Sequence, residues 1–527
     1  MKTSRRNFMK TGIALTAGAL AGPLAGGGEA PVAWPNILVI MSDQHSKHLL
    51  GCYGNDLVRT PHLDRLAAEG MRFSNAYCPA PLCVPSRMSF LTGRFPSGNR
   101  VWSNLGILNS GIPTWAHALT AAGYETSLIG RMHFCGGDQR HGFLSRPIAE
   151  YSATYPGVGC LCDEPIGAPF YHGGAGQTRS AAAEAGRGKT TYQYMDERIV
   201  DAACAYLGGH AGTLERPFAA VVGLVLPHCP YIAPKELFDY YYERIDLPAV
   251  EEEAPATIRR FRELRDIERP LSEHQTRVAR AAYYGLCEYT DLLVGKVLAA
   301  LEGAGRSRDT LVVYCSDHGD AAGEHGCWWK STYYEGSAGV PLIARMPGVA
   351  PAATECKAVC NLAGLGPTFM DAAGAQTLTG MDGRSLWPWL RGQRPDGWTD
   401  ETFSELCQEE KGEYRPSRMV RSGKWKLWHY AGKDDLPPAL FDLDEDPGEI
   451  HDLGGDPAHA DIRDRLMARL LEGWDPAEVR EGTRQTEADF QALARWGQVH
   501  GPACPDERMK VPPPAYEAQV EMLSTMD

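Results

Sequence analysis

Short apolar runs that give way to polar residues recur along the chain. Pro35 to Met41 (Pro-Asn-Ile-Leu-Val-Ile-Met) is rich in β-branched residues and ends at Ser42-Asp43-Gln44-His45. Ser127-Leu128-Ile129 ends at Gly130-Arg131-Met132-His133, Phe218 to Leu226 ends at Pro227-His228, and Thr310 to Tyr314 ends at Ser316-Asp317-His318-Gly319-Asp320. Apolar runs without alternation predict strands buried on both faces. Between them the period changes. From about Leu271 to Leu301 the chain reads as a helix, with Leu293, Val297 and Leu301 at i, i+4 and i+8. Strands alternating with helices predict an α/β fold whose large, mostly parallel sheet is covered by helices. Such sheets bind ligands at the carboxyl ends of their strands, so four strands ending in Asp, His and Arg point to one shared site.

The pattern changes again past Leu390-Arg-Gly-Gln-Arg-Pro-Asp-Gly397, which reads as a boundary. Met419-Val420-Arg421 and Trp425-Lys426-Leu427-Trp428 alternate as paired antiparallel strands do, and Asp456 to Trp474 is helical with Ile462, Leu466 and Leu470 on one face. The expected organisation is a catalytic α/β domain over 34–395 and a smaller C-terminal α+β subdomain and tail over 396–527. Gly173 to Lys189, rich in Gly, Ala and Arg, reads as an exposed flexible loop. Val511-Pro-Pro-Pro514 lies in the tail, as a packing arm or a loose end.

The first residues read as an address. Ser-Arg-Arg-Asn-Phe-Met-Lys at 4–10 precedes a weakly hydrophobic stretch, Thr11 to Gly28, that carries six glycines and Pro23. This predicts a twin-arginine export signal over 1–33, cleaved between Ala25 and Ala33, and a periplasmic or secreted protein. Twin-arginine export carries folded proteins, which implies a cofactor or modification fitted beforehand. The 527 residues carry a formal charge of −14, a poor match for nonspecific nucleic-acid binding. No later stretch is long and apolar enough for a stable membrane span. Fifteen cysteines at irregular spacing are no disulfide framework, and Cys160 and Cys162 read as ordinary residues.

Residues 83–94 read Cys-Val-Pro-Ser-Arg-Met-Ser-Phe-Leu-Thr-Gly-Arg. Pro85 suits the first turn of a helix and Gly93 its end, which would put Cys83 at a helix N-terminus, where anions are favoured. The segment resembles the sulfatase signature, Cys-x-Pro-Ser-Arg followed by Leu-Thr-Gly-Arg, at every defining position. The likeness runs from Pro35 to about Leu453 and includes Tyr53-Gly54-Asn55, Thr60-Pro-His-Leu-Asp64, Ser316-Asp-His-Gly-Asp320, Tyr334-Glu-Gly336 and Asp446-Pro447. It implies an alkaline-phosphatase-like α/β sandwich. It also implies that a dedicated maturation enzyme oxidises Cys83 to formylglycine on the unfolded chain. The hydrated aldehyde carries two hydroxyls: one attacks sulfur, and after the alcohol leaves the other expels sulfate. A plain thiol would give a sulfate ester with no simple route to release.

The same resemblance assigns Asp43, Gln44, Asp317 and His318 as ligands of one divalent ion. Calcium is the family's usual metal, and the imidazole makes manganese or magnesium a real competitor. A cation of this kind aligns and neutralises a sulfate oxygen and the nucleophile. Arg87 should hold the formylglycine hydrate, Lys330 a sulfate oxygen, His228 the leaving oxygen as general acid, and His133 the proton released as sulfate is expelled. Arg131 stands where most sulfatases have Lys, so charge is kept while reach and geometry change. Asn104 is a candidate substrate contact, and Glu324 and His325 read as supporting or loop residues.

Arg131-Met-His-Phe134, Gly137-Asp-Gln-Arg-His-Gly-Phe143 and Gly473-Trp-Asp-Pro476 resemble choline sulfatases in particular. A quaternary ammonium would need an aromatic cage with a carboxylate, for which Trp328, Trp329, Tyr414 and Glu405 are the available residues. The expected function is sulfate-ester hydrolysis on a small molecule or sugar. A phosphonate or phosphate-diester hydrolase is the first alternative; those enzymes tend to carry uncharged hydroxyl residues where this chain has Arg131 and His133. A catalytically silent carbohydrate-binding protein is the second.

Overall fold

The computed structural model describes residues 34–150, 176–211, 215–248, 250, 253–433, 436–500 and 520–524. The export signal expected at 1–33, Cys160 and Cys162, and Val511 to Pro514 lie outside the described residues. The main sheet has eight strands: β1 (Asn36–Asp43), β2 (Met71–Phe73), β3 (Glu125–Gly130), β4 (Ser145–Ile148), β5 (Phe218–Pro227), β6 (Thr310–Ser316), β7 (Leu342–Arg345) and β8 (Thr354–Cys356). They lie in the order β8-β2-β7-β6-β1-β5-β3-β4. The four strands predicted from apolar runs, β6, β1, β5 and β3, are neighbours at the centre and run parallel, with β4 parallel beyond them. Val39 sits between Val313 and Val221. β7 is antiparallel to both its neighbours, so the sheet is mixed.

Every residue of β1, β5 and β6 is buried, which requires cover on both faces and explains why these strands do not alternate. Helices supply that cover in two groups. One contains α1 (Cys83–Thr92), which packs with Trp115–Ala121 and Leu365–Ala373. The other contains α2 (Thr191–Ala205) and α3 (Glu273–Gly303), which pack on each other and on β5. Ser272 caps α3: its hydroxyl accepts the Gln275 N–H while the Gln275 side chain accepts the Ser272 N–H, a reciprocal capping box.

The C-terminal region is a meander of β9 (Glu401–Glu410), β10 (Glu413–Ser422), β11 (Trp425–Tyr430) and β12 (Ala439–Asp442), all antiparallel. The alternation read from the sequence is met in register, with Val420 opposite Leu427. The predicted helix begins with a 3-10 turn at Pro457–His459 and continues as α4 (Ala460–Leu471), burying Leu466 and Leu470. A further helix, α5 (Pro476–His500), follows. The described residues from Trp34 on form one compact unit.

The loop expected at Gly173–Lys189 is not what its described part forms. Arg179–Ala183 is a short helix, Ala181, Ala182 and Ala185 are buried, and Gly186–Arg187 pairs with Ile232–Ala233 and with Glu521–Met522. The small side chains that suggested a loop serve close packing against α3. Among the described residues no helix is long and apolar enough to cross a membrane.

Candidate active site

The carboxyl ends of β1, β3, β5 and β6 converge on the N-terminus of α1. Cys83 is the first residue of that helix and Gly93, at φ 66°, ends it. Leu82 offers no side-chain cap, and Asn104 takes that task by accepting the Val84 N–H at 3.0 Å. The amide oxygen of this expected substrate contact is therefore engaged with the helix start. All ten residues of α1 are buried, Arg87 included. A buried guanidinium needs carboxylates around it, and Arg87 finds both candidate ligands: its Nε donates to Asp317 at 2.7 Å and its Nη2 to Asp43 at 3.2 Å. Its remaining Nη1 donates to the Arg131 carbonyl at 3.0 Å.

Asp43, Cys83, Asp317 and His318 bring their ligand atoms within 4.8 Å of one another. Burial pushes the Asp43 carboxyl up, but Arg131, His228, Arg87 and Lys330 outweigh it and hold the group well below the ordinary range. His318 Nδ1 lies 3.0 Å from the Gly319 carbonyl, which places its proton there and leaves the Nε2 lone pair facing Cys83 Sγ at 3.2 Å. Burial depresses its pKa, so the ring is neutral as a ligand must be. Gln44 is oriented by Asp320, whose carboxylate only accepts: the amide nitrogen donates to it at 2.7 Å, and Oε1 is thereby turned toward Lys330 at 2.8 Å. Two carboxylates, an amide oxygen and a neutral imidazole nitrogen fit a divalent cation.

Lys330 Nζ lies 3.2 Å from Cys83 Sγ, 2.8 Å from Gln44 Oε1 and 2.6 Å from His228 Nε2. Burial lowers its pKa, and the charges of Cys83 and Asp43 more than restore it. His228 donates from Nδ1 to the Cys229 carbonyl at 2.6 Å, so Nε2 is the nitrogen that meets Lys330. Burial and that lysine depress the His228 pKa.

Arg131 spans the other side. Its Nε donates to Asp43 at 2.7 Å, Nη1 to Glu150 at 3.3 Å and Nη2 to His133 Nδ1 at 2.9 Å. Burial and then Arg131 push the His133 pKa far down, so the ring is neutral with its proton on Nε2. Glu150 also accepts the Met132 and His133 N–H groups at 3.1 and 2.5 Å.

The aromatic-cage residues do not form a cage. Trp329 is fully buried, Trp328 packs on Tyr231, Tyr414 donates to Glu487, and Glu405 is occupied by Ser97 and Arg418. Glu324 pairs with His48 and His325 stacks on Tyr334 at 3.8 Å, as loop residues do. Sequence reasoning assigned no role to Glu150, Tyr192, Asp196 or Asp320. Asp320 stood in a visible run of polar residues, whereas the other three carry no local pattern.

Residues 35–375 match the sulfatase family, and residues 323–474 match the family described as N-sulphoglucosamine sulphohydrolase, C-terminal. The chain is 34% identical to a choline-sulfatase of Rhizobium meliloti, over 87% of this chain and 91% of that protein. It is 28% identical to arylsulfatase K of Danio rerio, over 83% and 84%. Among solved structures, phosphonate monoester hydrolase of Agrobacterium radiobacter superposes with a TM-score of 0.68 at 24% identity, over 83% of this chain and 95% of that one, a likeness of fold. With a family match spanning the sheet and α1, and a relative aligned over most of its length, this chain belongs to the sulfatase family.

Proposed function

We propose that the chain hydrolyses a sulfate monoester, with position 83 matured to formylglycine and one divalent ion held by Asp43, Gln44, Asp317 and His318. The observation that carries this reading is Lys330: a buried ammonium that faces the nucleophile, an amide oxygen and an imidazole, none of them a carboxylate. Such a cation beside a helix N-terminus is an anion site. The divalent ion, when bound, supplies Lewis-acid polarisation and charge neutralisation; formylglycine supplies a hydroxyl nucleophile and a way to release sulfate.

The chain's own residues do the rest. Lys330 and the α1 N-terminus hold sulfuryl oxygens. His228 Nε2, already sharing a proton with Lys330, passes it to the leaving oxygen. His133 has its lone pair on Nδ1, in the bond from Arg131, so a proton taken there requires that contact to open; Arg131 and His133 act together. Arg87 and Arg131 keep Asp43 ionised and fixed.

The phosphonate reading rests on the shared fold, and the Arg131 guanidinium with the His133 imidazole it holds, where phosphonate enzymes tend to carry uncharged hydroxyls, favours a sulfate monoester over it. The silent carbohydrate-binding reading is disfavoured by the complete nucleophile, metal and cation set. Choline sulfate, suggested by one relative's name, and aryl and sugar sulfates are the substrates to compare. The test is kcat/KM for these esters and an aryl phosphonate on protein co-expressed with a formylglycine-generating enzyme, with mass spectrometry of the peptide containing Cys83. A thiol at Cys83 in fully active protein, or a wide preference for the phosphonate, sinks the reading. Export to the periplasm or beyond through the twin-arginine machinery belongs to the same proposal. Its test is a fusion of residues 1–40 to a reporter, which should stay in the cytoplasm when Arg5 and Arg6 are both changed to Lys.

A further inference from the structure

β5 leaves the sheet at a place where its neighbours stop supporting it. Its pairing with β3 ends at Gly130 opposite Gly223, and its pairing with β1 is regular to Met41 opposite Gly223 and then slips before Asp43 meets Pro227. The backbone N–H groups of Val225 and Leu226 fall in that gap, fully inside the protein, where an unpaired donor is costly. Asp196, on the second turn of α2 and itself fully buried, accepts both: Oδ1 takes Val225 N–H at 2.9 Å, and Oδ2 takes Leu226 N–H at 2.7 Å. One side chain thus replaces the sheet ladder over the two residues before Pro227-His228.

The same helix reaches His228 a second time. Tyr192, four residues before Asp196 and so on the same face of α2, sets its ring edge-on to the His228 imidazole, with centroids 5.9 Å apart at 78°. His228 works only if aimed, since Nδ1 must meet the Cys229 carbonyl while Nε2 meets Lys330. Both contacts follow from where the backbone at 225–229 lies.

We infer that Asp196, assisted by Tyr192, is the positioning residue for His228: it fixes the end of β5 so that Nε2 faces Lys330 and the leaving oxygen. The inference rests on the general-acid reading of His228 only for its kinetic signature, not for the positioning itself. Asn cannot replace Asp here. Oδ2 lies within reach of both N–H groups, 3.1 Å from Val225 and 2.7 Å from Leu226, but an amide NH₂ in place of Oδ1 would turn a donor against the Val225 N–H that Oδ1 accepts at 2.9 Å.

The test uses matured enzyme and a series of sulfate esters, from 4-nitrophenyl to alkyl. An acidic phenol leaves without help, whereas an alkoxide needs a proton. With His228→Ala the alkyl ester should lose roughly 10²–10⁴ in kcat, the range for a lost general acid, and the nitrophenyl ester far less. Asp196→Asn should show the same tilt at smaller size, about 10-fold or more on the alkyl ester and within about 2-fold on the nitrophenyl ester, with KM unchanged. The double variant should be no slower on the alkyl ester than His228→Ala alone, because the carboxylate then has nothing to aim. Should Asp196→Asn fail to fold, Tyr192→Leu removes the ring support while leaving the carboxylate, and it should tilt the series the same way. Losses that multiply in the double variant, or a common loss across all leaving groups, overturn the inference. A flat series for His228→Ala would instead reject the general-acid reading, and the non-additivity would still decide whether Asp196 acts through His228.

Discussion

Where the C-terminal sheet meets the main body, Lys426 pairs with Glu335 and Glu449 at 2.8 Å each, and Lys47 pairs with Glu335 at 2.5 Å. All four side chains are buried. Around Cys83 the charges are as deeply buried but differently arranged. Arg87 and Arg131 both lean on Asp43, and Lys330 meets no carboxylate at all. The first cluster is complete without a ligand and fastens the C-terminal sheet, through Lys426, to a turn at Lys47, a short helix at Glu335 and the loop at Glu449. The second is left with a cation facing Cys83. Burial and ion count do not separate them; the separation lies in whether each cation already touches an anion.

Several measurements would sharpen or break that contrast, beginning with the largest effect. Cys83→Ala should remove turnover entirely while leaving the melting temperature nearly unchanged, since the nucleophile fastens nothing; residual activity at wild-type level would place the chemistry elsewhere. Glu335→Gln should do the reverse. It strips Lys47 and Lys426 of a shared counter-charge and should cost about 3–5 kcal/mol in denaturant unfolding, with kcat of the folded fraction preserved. Lys330→Met should lower kcat/KM by roughly 10²–10³, the scale of a lost transition-state contact. Its stability should change far less than that of Glu335→Gln, because Lys330 makes no direct ion pair whose partner would be left unpaired. A large drop in stability there would make Lys330 a fastening like Lys426.

The smallest effect concerns a third arrangement, a carboxylate held by dipoles alone. Asp291 accepts the backbone N–H groups of His62 and Leu63 at 3.2 and 2.8 Å, and burial pushes its carboxyl up to about 7. A folded pKa above the unfolded value of about 3.9 means that the native state holds the proton more tightly. That stabilisation is complete below about pH 4 and is lost as the pH rises through about 7. The wild type should therefore lose about 2 kcal/mol between pH 5 and 7 that Asp291→Asn does not lose, readable as a difference in the slope of melting temperature against pH.

The central strands and their polar ends were legible because burial on both faces leaves an unbroken apolar run, and a run of that kind has few other uses. Cys83, Asp43 and Asp317 were legible because the signature and the strand ends are local. Three things were not. The Ala-rich segment at 179–185 reads as a loop in composition, yet small side chains are also what close packing against α3 requires. α5 buries only Val479, Gly482, Thr483 and Gly497, so its apolar stripe is too thin to announce a helix. Asp196 answers a need created 29 residues away, the unpaired N–H of Val225. No pattern around Asp196 itself reports a vacancy in a distant backbone.

The burial of α1 also sets a clock. Cys83 is 1% exposed in the finished fold, and 235 residues separate it from His318, which follows the strand that closes the centre of the sheet. At synthesis rates of about 5–20 residues per second, that stretch takes roughly 10–50 s to make. Any enzyme that must reach the thiol has that interval, and little beyond it, before the chain shuts it away. If position 83 is matured as proposed above, slower translation between the two positions would lengthen the interval, and faster translation would leave a larger share of molecules with an unaltered sulfur. The fraction of active protein in a cell would then depend on the tempo of synthesis as well as on the sequence.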